Sequence, residues 1–368
     1  MLRVWLLHLC VPFRAAAVAV HADGKVSAAA RQRRARPGMS DTHAESHPFI
    51  TAPGPHVRAG DTTHRIMWTV NATLAPAAIW GVFVFGYHAL LVMVAAVGGA
   101  AFAEWLAGRG LKSRNTVSDG SAVCTGLLLA FTLPPMVAPW MAFVGAVFAI
   151  LLGKMIFGGL GYNLFNPALV GRAFMMATFP LAMTTGWTEP KPWFAAVDAV
   201  TTATPLAAAR EHSLDAALKL AAGAGSPWTG LFIGLRPGSI GEVSVLLIIV
   251  GGVVLWWHGI IRPTIPLSVI AGLVLTTAPT GLVGFHLLSG GLWLGALYMA
   301  TDYVTSPNTR NGQIVFGLII GALTGVIRVF GGYPEGICYA ILIANTLVPA
   351  LNLWFRPVRP AIAAGVPS

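Results

Sequence analysis

Three threonine hydroxyls fall within four residues in the string Asp198-Ala-Val-Thr201-Thr202-Ala203-Thr204-Pro205-Leu206, with one carboxylate just upstream. A residue that precedes proline favours extended backbone, which presents the Thr204 hydroxyl outward. Taken alone, the string is a Thr-rich turn. Other chemistry-bearing patterns are missing. No G-x-x-x-x-G-K-[ST], H-E-x-x-H or G-x-S-x-G occurs, so ATP-driven transport and hydrolysis find no support in this chain. Cys10, Cys124 and Cys338 lie far apart without CxxC or Cys/His spacing, which argues against zinc or a self-contained iron–sulfur site. Cys124 and Cys338 sit in apolar segments and read as small packing residues.

The elements that must hold this string are set by composition. Of 368 residues, 56% are hydrophobic and only 10% are charged, too few charges to cover a soluble domain of that size. Several apolar stretches run to roughly 20 residues, the length that crosses a hydrocarbon core of about 30 Å. Spans are expected at about 67–86, 88–106, 121–134, 138–157 and 165–183, then at about 243–260, 263–281, 287–301, 313–330 and 335–353. The third and eighth are short, with glycine and proline at their ends, and read as interrupted half-helices. The net charge of +10 would point to nucleic acid in a soluble protein. Much of it lies in the first 65 residues, and basic residues beside spans set orientation, so nucleic-acid binding is not expected.

The chain divides into a polar tail (1–66), a first set of five spans (67–183), a polar interval (184–240), a second set (241–355) and a short tail (356–368). Residues 1–38, with Arg31, Arg33, Arg34 and Arg36, read as sequence upstream of a start at Met39 and stay out of the fold argument. The two sets resemble each other. Gly126 to Thr132, closed by Pro134 and Pro135, parallels Gly295 to Thr301, closed by Pro307; Phe157-Gly-Gly159 parallels Phe330-Gly-Gly332. Five crossings per set invert the second against the first. The expected fold is therefore an all-α polytopic membrane protein of about ten transmembrane helices, an inverted 5+5 repeat with a functional site where the halves meet.

Charge fixes the orientation. With the N-terminus inside, Arg58, Arg65, Arg109, Lys112, Arg114, Lys154, Arg262, Arg310, Arg356 and Arg359 all fall on the inner side, and the turn Pro134 to Pro139 is uncharged and outer. Both termini are then cytoplasmic and the 184–240 interval is external. Other polar residues have simpler readings. Glu104 forms a solvated pair with Arg109, one turn on. Asp119 caps a half-helix, with an ion-path role for Asp119 and Asp302 as the sharper alternative. Asn163, Asn166 and Arg172 must find partners in a low-dielectric setting, and cofactor contact would supply them. Trp68, Trp140, Trp256 and Trp257 mark span ends as interfacial anchors.

The threonine string resembles the flavinylation motif D-x-x-[ST]-x-A-T of a membrane family that comprises the D subunits of Rnf complexes and the B subunits of sodium-translocating NADH:quinone reductases. The resemblance runs from about Pro55 to Pro349. It includes Gly54-Pro-His-Val-Arg-Ala-Gly-Asp61, Ser118-Asp-Gly-Ser121, the block from Phe157 to Arg172 with Phe165-Asn-Pro-Ala168, Met299 to Pro307, and Phe330-Gly-Gly-Tyr-Pro-Glu-Gly336. The last two are similar to the Rnf D type, and the quinone-reductase B type is the second choice. The resemblance implies FMN joined through its phosphate to the Thr204 hydroxyl by a transferase that uses FAD, making the chain a phosphoester-linked flavoprotein. It places Asp198, Thr201 and Ala203 at the other motif positions, with Thr202 where glycine is frequent. By analogy it also implies a second, noncovalent flavin (riboflavin) in the membrane, for which no local motif gives a site.

The protein's part with such a cofactor is to hold the ring within electron-transfer distance of its neighbours. Lacking an iron–sulfur motif and a dinucleotide fingerprint of its own, the chain is expected to receive electrons from partner membrane and peripheral subunits that carry iron–sulfur clusters and flavins. The implied function is a subunit of a bacterial inner-membrane translocase that couples ferredoxin/NAD-type electron transfer to Na⁺ or H⁺ movement, with the flavin loop periplasmic. The rival from another class is a passive channel or solute transporter, which a 5+5 repeat with paired half-helices also suits.

Overall fold

The computed structural model describes residues 62–110, 116–190, 203–211, 214–221, 226–331 and 335–356. Asp198, Thr201 and Thr202 lie outside the described residues, as do residues 1–61 and 357–368 of the terminal tails. The described residues contain helices and turns and no strand. In chain order the helices are α1 (Thr63–Phe85), α2 (Tyr87–Gly110), α3 (Ser121–Phe131), α4 (Pro139–Gly153), α5 (Pro167–Thr178) and α6 (Pro180–Thr185). Then follow α7 (Pro205–Glu211), α8 (Leu214–Ala221), α9 (Pro227–Ile233), α10 (Val245–Trp257), α11 (Thr264–Thr277) and α12 (Val283–Leu288). The last are α13 (Leu292–Leu294), which runs into a π-turn (Gly295–Met299), α14 (Arg310–Phe330) and α15 (Ile337–Trp354).

Five helices among the described residues are long and apolar enough to cross a membrane: Thr63–Phe85, Tyr87–Gly110, Pro139–Phe157, Arg310–Phe330 and Ile337–Trp354. Large apolar side chains such as Ile79, Leu275 and Phe330 face outward from the helices, as lipid-facing residues do. The protein is a multi-pass membrane protein. Other expected spans appear as shorter pieces for visible reasons. The fifth is cut at Phe179, because Pro180 starts a new helix. The eighth is cut at Ser289 to Gly291 and then carries the π-turn.

Close helix contacts are made through glycine. At Gly99 of α2 a side chain would meet the Phe143 carbonyl of α4, and at Gly272 of α11 one would meet the Leu318 carbonyl of α14. Phe148 of α4 stacks on Phe174 of α5, ring centroids 3.9 Å apart. The four tryptophans noted as anchors are exposed at or near helix ends, as expected. Cys124 and Cys338 are buried and free.

Glu104 corrects one expectation. It is buried and paired with Lys154 of the α4–α5 turn, Nζ to Oε1 at 2.8 Å, while Arg109 stacks over Trp105 with Cζ 4.1 Å from the ring centroid. A charge near the end of an apolar helix reads as solvated from sequence, but the partner lies 50 positions away. Lys154 is therefore inside the protein rather than at the inner surface.

Candidate functional site: a buried charge cluster beside Thr204

Helices α7, α8, α9 and α12 form a small apolar core of their own from Leu206, Ala208, Ala217, Leu231 and Phe285, with Ala203 packed against it. Thr204 opens α7. Its Oγ1 accepts from the Ala207 amide at 3.2 Å and its carbonyl from the Ala208 amide at 2.9 Å. Such a cap fixes the side chain in place. The residue is only 8% exposed, which corrects the outward-facing loop read from the Thr-Pro pair. The cap turns the hydroxyl toward its own helix, and α7 packs onto the small core.

Thr204 lines a small cavity together with Arg236, Ser239, Glu242, Gly290 and Glu335, among others. The turn that brings Arg236 and Glu242 here is pinned to the end of α3: the Ile240 amide donates to the Leu133 carbonyl and the Gly241 amide to the Phe131 carbonyl, both at 3.1 Å. Arg172 of α5 donates to the Thr132 carbonyl and pairs with Glu335. From α14, Arg328 donates to the carbonyls of His286 (2.5 Å), Ser289 (3.0 Å) and Glu335 (3.2 Å). Ser239 donates to Glu242 at 2.9 Å and lies 3.4 Å from Glu335.

Arg236 stands apart. It is 3% exposed, and among the described residues its Nε has no hydrogen-bond partner. Burial pulls its guanidinium down to about 10, opposed by the Glu242 charge. Burial likewise pushes the Glu242 carboxyl up, opposed by Arg172, by the Ser239 hydrogen bond, and by Arg236 and Arg328. Sequence reading placed Arg172 among polar residues in need of partners and missed Arg236, Glu242, Arg328 and Glu335. The available signal was rarity: each is a charge in a chain with few.

A second space opens toward the Lys154 end of α4. This cleft is mostly apolar and is lined by Thr125, Leu128, Lys154, Asn163, Tyr298 and Asp302, among others. Lys154 also donates to the Ser121 hydroxyl at 2.6 Å, and Asp119 accepts from the Ser121 amide at 2.8 Å, the capping contact expected of it. Asn166 caps α5 by accepting from the Ala168 amide at 3.0 Å and donates to the Met299 carbonyl at 3.3 Å, so it is satisfied within the protein. Asp302 follows the π-turn; burial pushes its carboxyl up to about 6, opposed by hydrogen bonds from Thr305, Asn163 and the Val304 amide. Among the described residues no His, Cys, Asp or Glu group is placed to hold a metal.

Residues 50–360 match the NQR2, RnfD, RnfE family. The chain is 42% identical over 329 residues to the D subunit of the proton-translocating ferredoxin:NAD(+) oxidoreductase complex of Clostridium ljungdahlii, covering 87% of this chain and 98% of that one. It is 43% identical over 304 residues to the D subunit of the Na(+)-translocating ferredoxin:NAD(+) oxidoreductase complex of Acetobacterium woodii, 81% and 91% of the two chains. To the D subunit of the ion-translocating oxidoreductase complex of Escherichia coli it is 33% identical over 361 residues, 84% and 97% of the two. A match over most of the chain, with relatives aligned nearly end to end, leads to one conclusion: the chain belongs to the NQR2, RnfD, RnfE family.

Proposed function

We propose that this chain is the D subunit of an ion-translocating ferredoxin:NAD⁺ oxidoreductase complex, and that it carries FMN as a phosphoester on Thr204. The naming of relatives that span nearly the whole chain supports the first part. Two relatives of equal similarity are named for different ions, H⁺ and Na⁺, so overall identity does not select the ion. The partners would be the other subunits of such a complex, iron–sulfur and flavin proteins among them, together with a flavin transferase for maturation.

One observation carries the second part: Thr204 lines a cavity that also holds a buried guanidinium whose Nε has no partner among the described residues. That setting fits an attached phosphate, since a buried cation without an anion is unfavourable and a buried phosphate needs one. In the attachment, a bond forms between Thr204 Oγ1 and the flavin phosphorus of FAD as the pyrophosphate bond breaks. AMP leaves, and the hydroxyl proton goes to the transferase or to water. Once bound, FMN supplies one- and two-electron chemistry. The chain's own residues contribute a fixed anchor, through the Thr204 cap and the small apolar core around α7. The experiment is a denaturing gel viewed under ultraviolet light after co-expression with the transferase: a covalent flavin fluoresces in the band, and a channel of similar fold stays dark.

The apolar cleft fits a noncovalent flavin such as riboflavin. Its walls are mostly apolar, with Asn163, Lys154 and Asp302 at hand for the polar edge of a ring. The inverted 5+5 repeat is supported by contacts that recur 173 positions apart. Gly99 meets Phe143 as Gly272 meets Leu318, the glycines 173 positions apart and their partners offset by two residues more. Arg172 donates to the Thr132 carbonyl, and the Asn345 amide, oriented to satisfy both its ends, donates to the Thr305 carbonyl at 3.1 Å. The recurrence pairs Thr132 with Thr305, one turn beyond the Thr301 that the glycine-rich strings align with. With an odd number of crossings per half, both termini lie in the cytoplasm of a bacterial inner membrane and Thr204 on the periplasmic side.

A further inference from the structure

The charge cluster beside Thr204 is not balanced. Among the described residues it holds three arginines, Arg172, Arg236 and Arg328, against two carboxylates, Glu242 and Glu335. Two of the arginines are spoken for: Arg172 by Glu335 and the Thr132 carbonyl, Arg328 by three carbonyls. Glu242 is held by Ser239, and no hydrogen bond joins it to Arg236 among the described contacts. Arg236 is as deeply buried as the other two, yet its Nε has no partner among the described residues, and it lines the same cavity as Thr204. Glu242 acts on this guanidinium through its charge alone, with no hydrogen bond between them among the described residues, and the planar fork suits two oxygens of one phosphate.

We infer that Arg236 is the positioning residue for the phosphodiester formed at Thr204, binding its free oxygens and bringing the buried cluster to electrical neutrality. The inference rests on the reading that Thr204 carries FMN. A phosphodiester bears a single negative charge, the one by which this cluster falls short. Nothing in the flavin ring is needed for the fit. Arg236 therefore acts on attachment and on where the ribityl chain leaves the protein, and not on electron transfer itself. Without the modification, Arg236 is a cost to the fold; with it, Arg236 is satisfied.

The test uses the whole complex in membranes, with and without the transferase, in wild type, Arg236→Gln and Arg236→Lys. Readouts are in-gel flavin fluorescence per unit protein and the thermal unfolding midpoint of the flavin-bearing chain. Wild type gains a higher midpoint on flavinylation. Without transferase, Arg236→Gln matches or exceeds wild type in abundance and midpoint. With transferase its flavin content falls about tenfold, the loss expected when one charged hydrogen-bonding partner is removed, and the rise in midpoint disappears. Arg236→Lys recovers part of both. A second arm needs no flavin: Thr204→Glu places a carboxylate in the cavity, and it raises the midpoint only where Arg236 is present. The inference is overturned if Arg236→Gln is flavinylated with the wild-type gain in midpoint, if it lowers abundance without transferase, or if Thr204→Glu and Arg236→Gln act additively. Should wild type stay dark with an active transferase while Thr204→Glu still depends on Arg236, the FMN reading fails and the anion pocket stands.

Discussion

Lys154 and Glu104 form a 2.8 Å ion pair in which neither side chain is more than 2% exposed. The pair joins the turn after α4 to the last third of α2, and Ser121, at the start of α3, accepts from the same ammonium group. Three segments of the first half therefore meet at one nitrogen.

Removing one member of that pair leaves a buried charge unpaired, at a cost of about 3–5 kcal/mol. Glu104→Ala and Lys154→Met alone are expected to lower membrane abundance and the unfolding midpoint sharply. The double variant Glu104→Leu/Lys154→Met should regain most of the loss, because it removes both desolvation penalties together. Thermal unfolding in detergent measures this, and single variants as stable as wild type would show that the pair is solvated after all.

A packing prediction compares neighbouring glycines. Gly99 abuts the Phe143 carbonyl, whereas nothing lies within 4 Å of a side chain built at Gly98. Gly99→Ala and its counterpart Gly272→Ala should each destabilise by about 1–3 kcal/mol through overpacking. Gly98→Ala should be neutral or stabilising by about 0.5–1 kcal/mol, as expected for alanine replacing a helical glycine. Equal behaviour at Gly98 and Gly99 would contradict the close α2–α4 approach.

These residues show what sequence reading could and could not reach. Helix positions were legible because apolar runs between glycine and proline leave few choices, and Asp119 was legible as a cap because its contact is two residues away. Glu104 was misread because its partner is 50 positions off and its local neighbour Arg109 offered a cheaper explanation. The motif singles out Thr204 but says nothing of its burial, since that depends on α7 folding onto residues from α9 and α12. Arg236 carries no local signal: it becomes informative only in three dimensions, where its Nε has no partner among the described residues.

Orientation yields a prediction of its own. A reporter fused at residues 222–225, inside the polar interval, should score as periplasmic, and one fused after Arg356 as cytoplasmic. Reporters that place the N-terminus and the C-terminus on opposite sides would rule out an even number of crossings.

The cleft near Lys154 offers a test that distinguishes the proposed noncovalent flavin from the proposed covalent one. Thr125, on its wall, is nearly buried. Thr125→Trp should fill the space and abolish acid-extractable flavin while the fluorescent band on the denaturing gel persists. Loss of the covalent band with retention of extractable flavin would refute the assignment of the cleft.

The most direct measurement is mass spectrometry of the peptide containing Thr204 from protein made with an active transferase. Wild type should carry one FMN, less a water, on Thr204. Thr204→Val removes the oxygen on which the phosphoester depends and also the cap to Ala207, worth about 1 kcal/mol. It should reach the membrane with slightly lower stability and no covalent flavin. Thr204→Asn keeps a capping oxygen and should restore the stability without the flavin, and Thr201→Val and Thr202→Val should remain modified. Covalent FMN on the Thr204→Val protein, or none on wild type, would contradict the account.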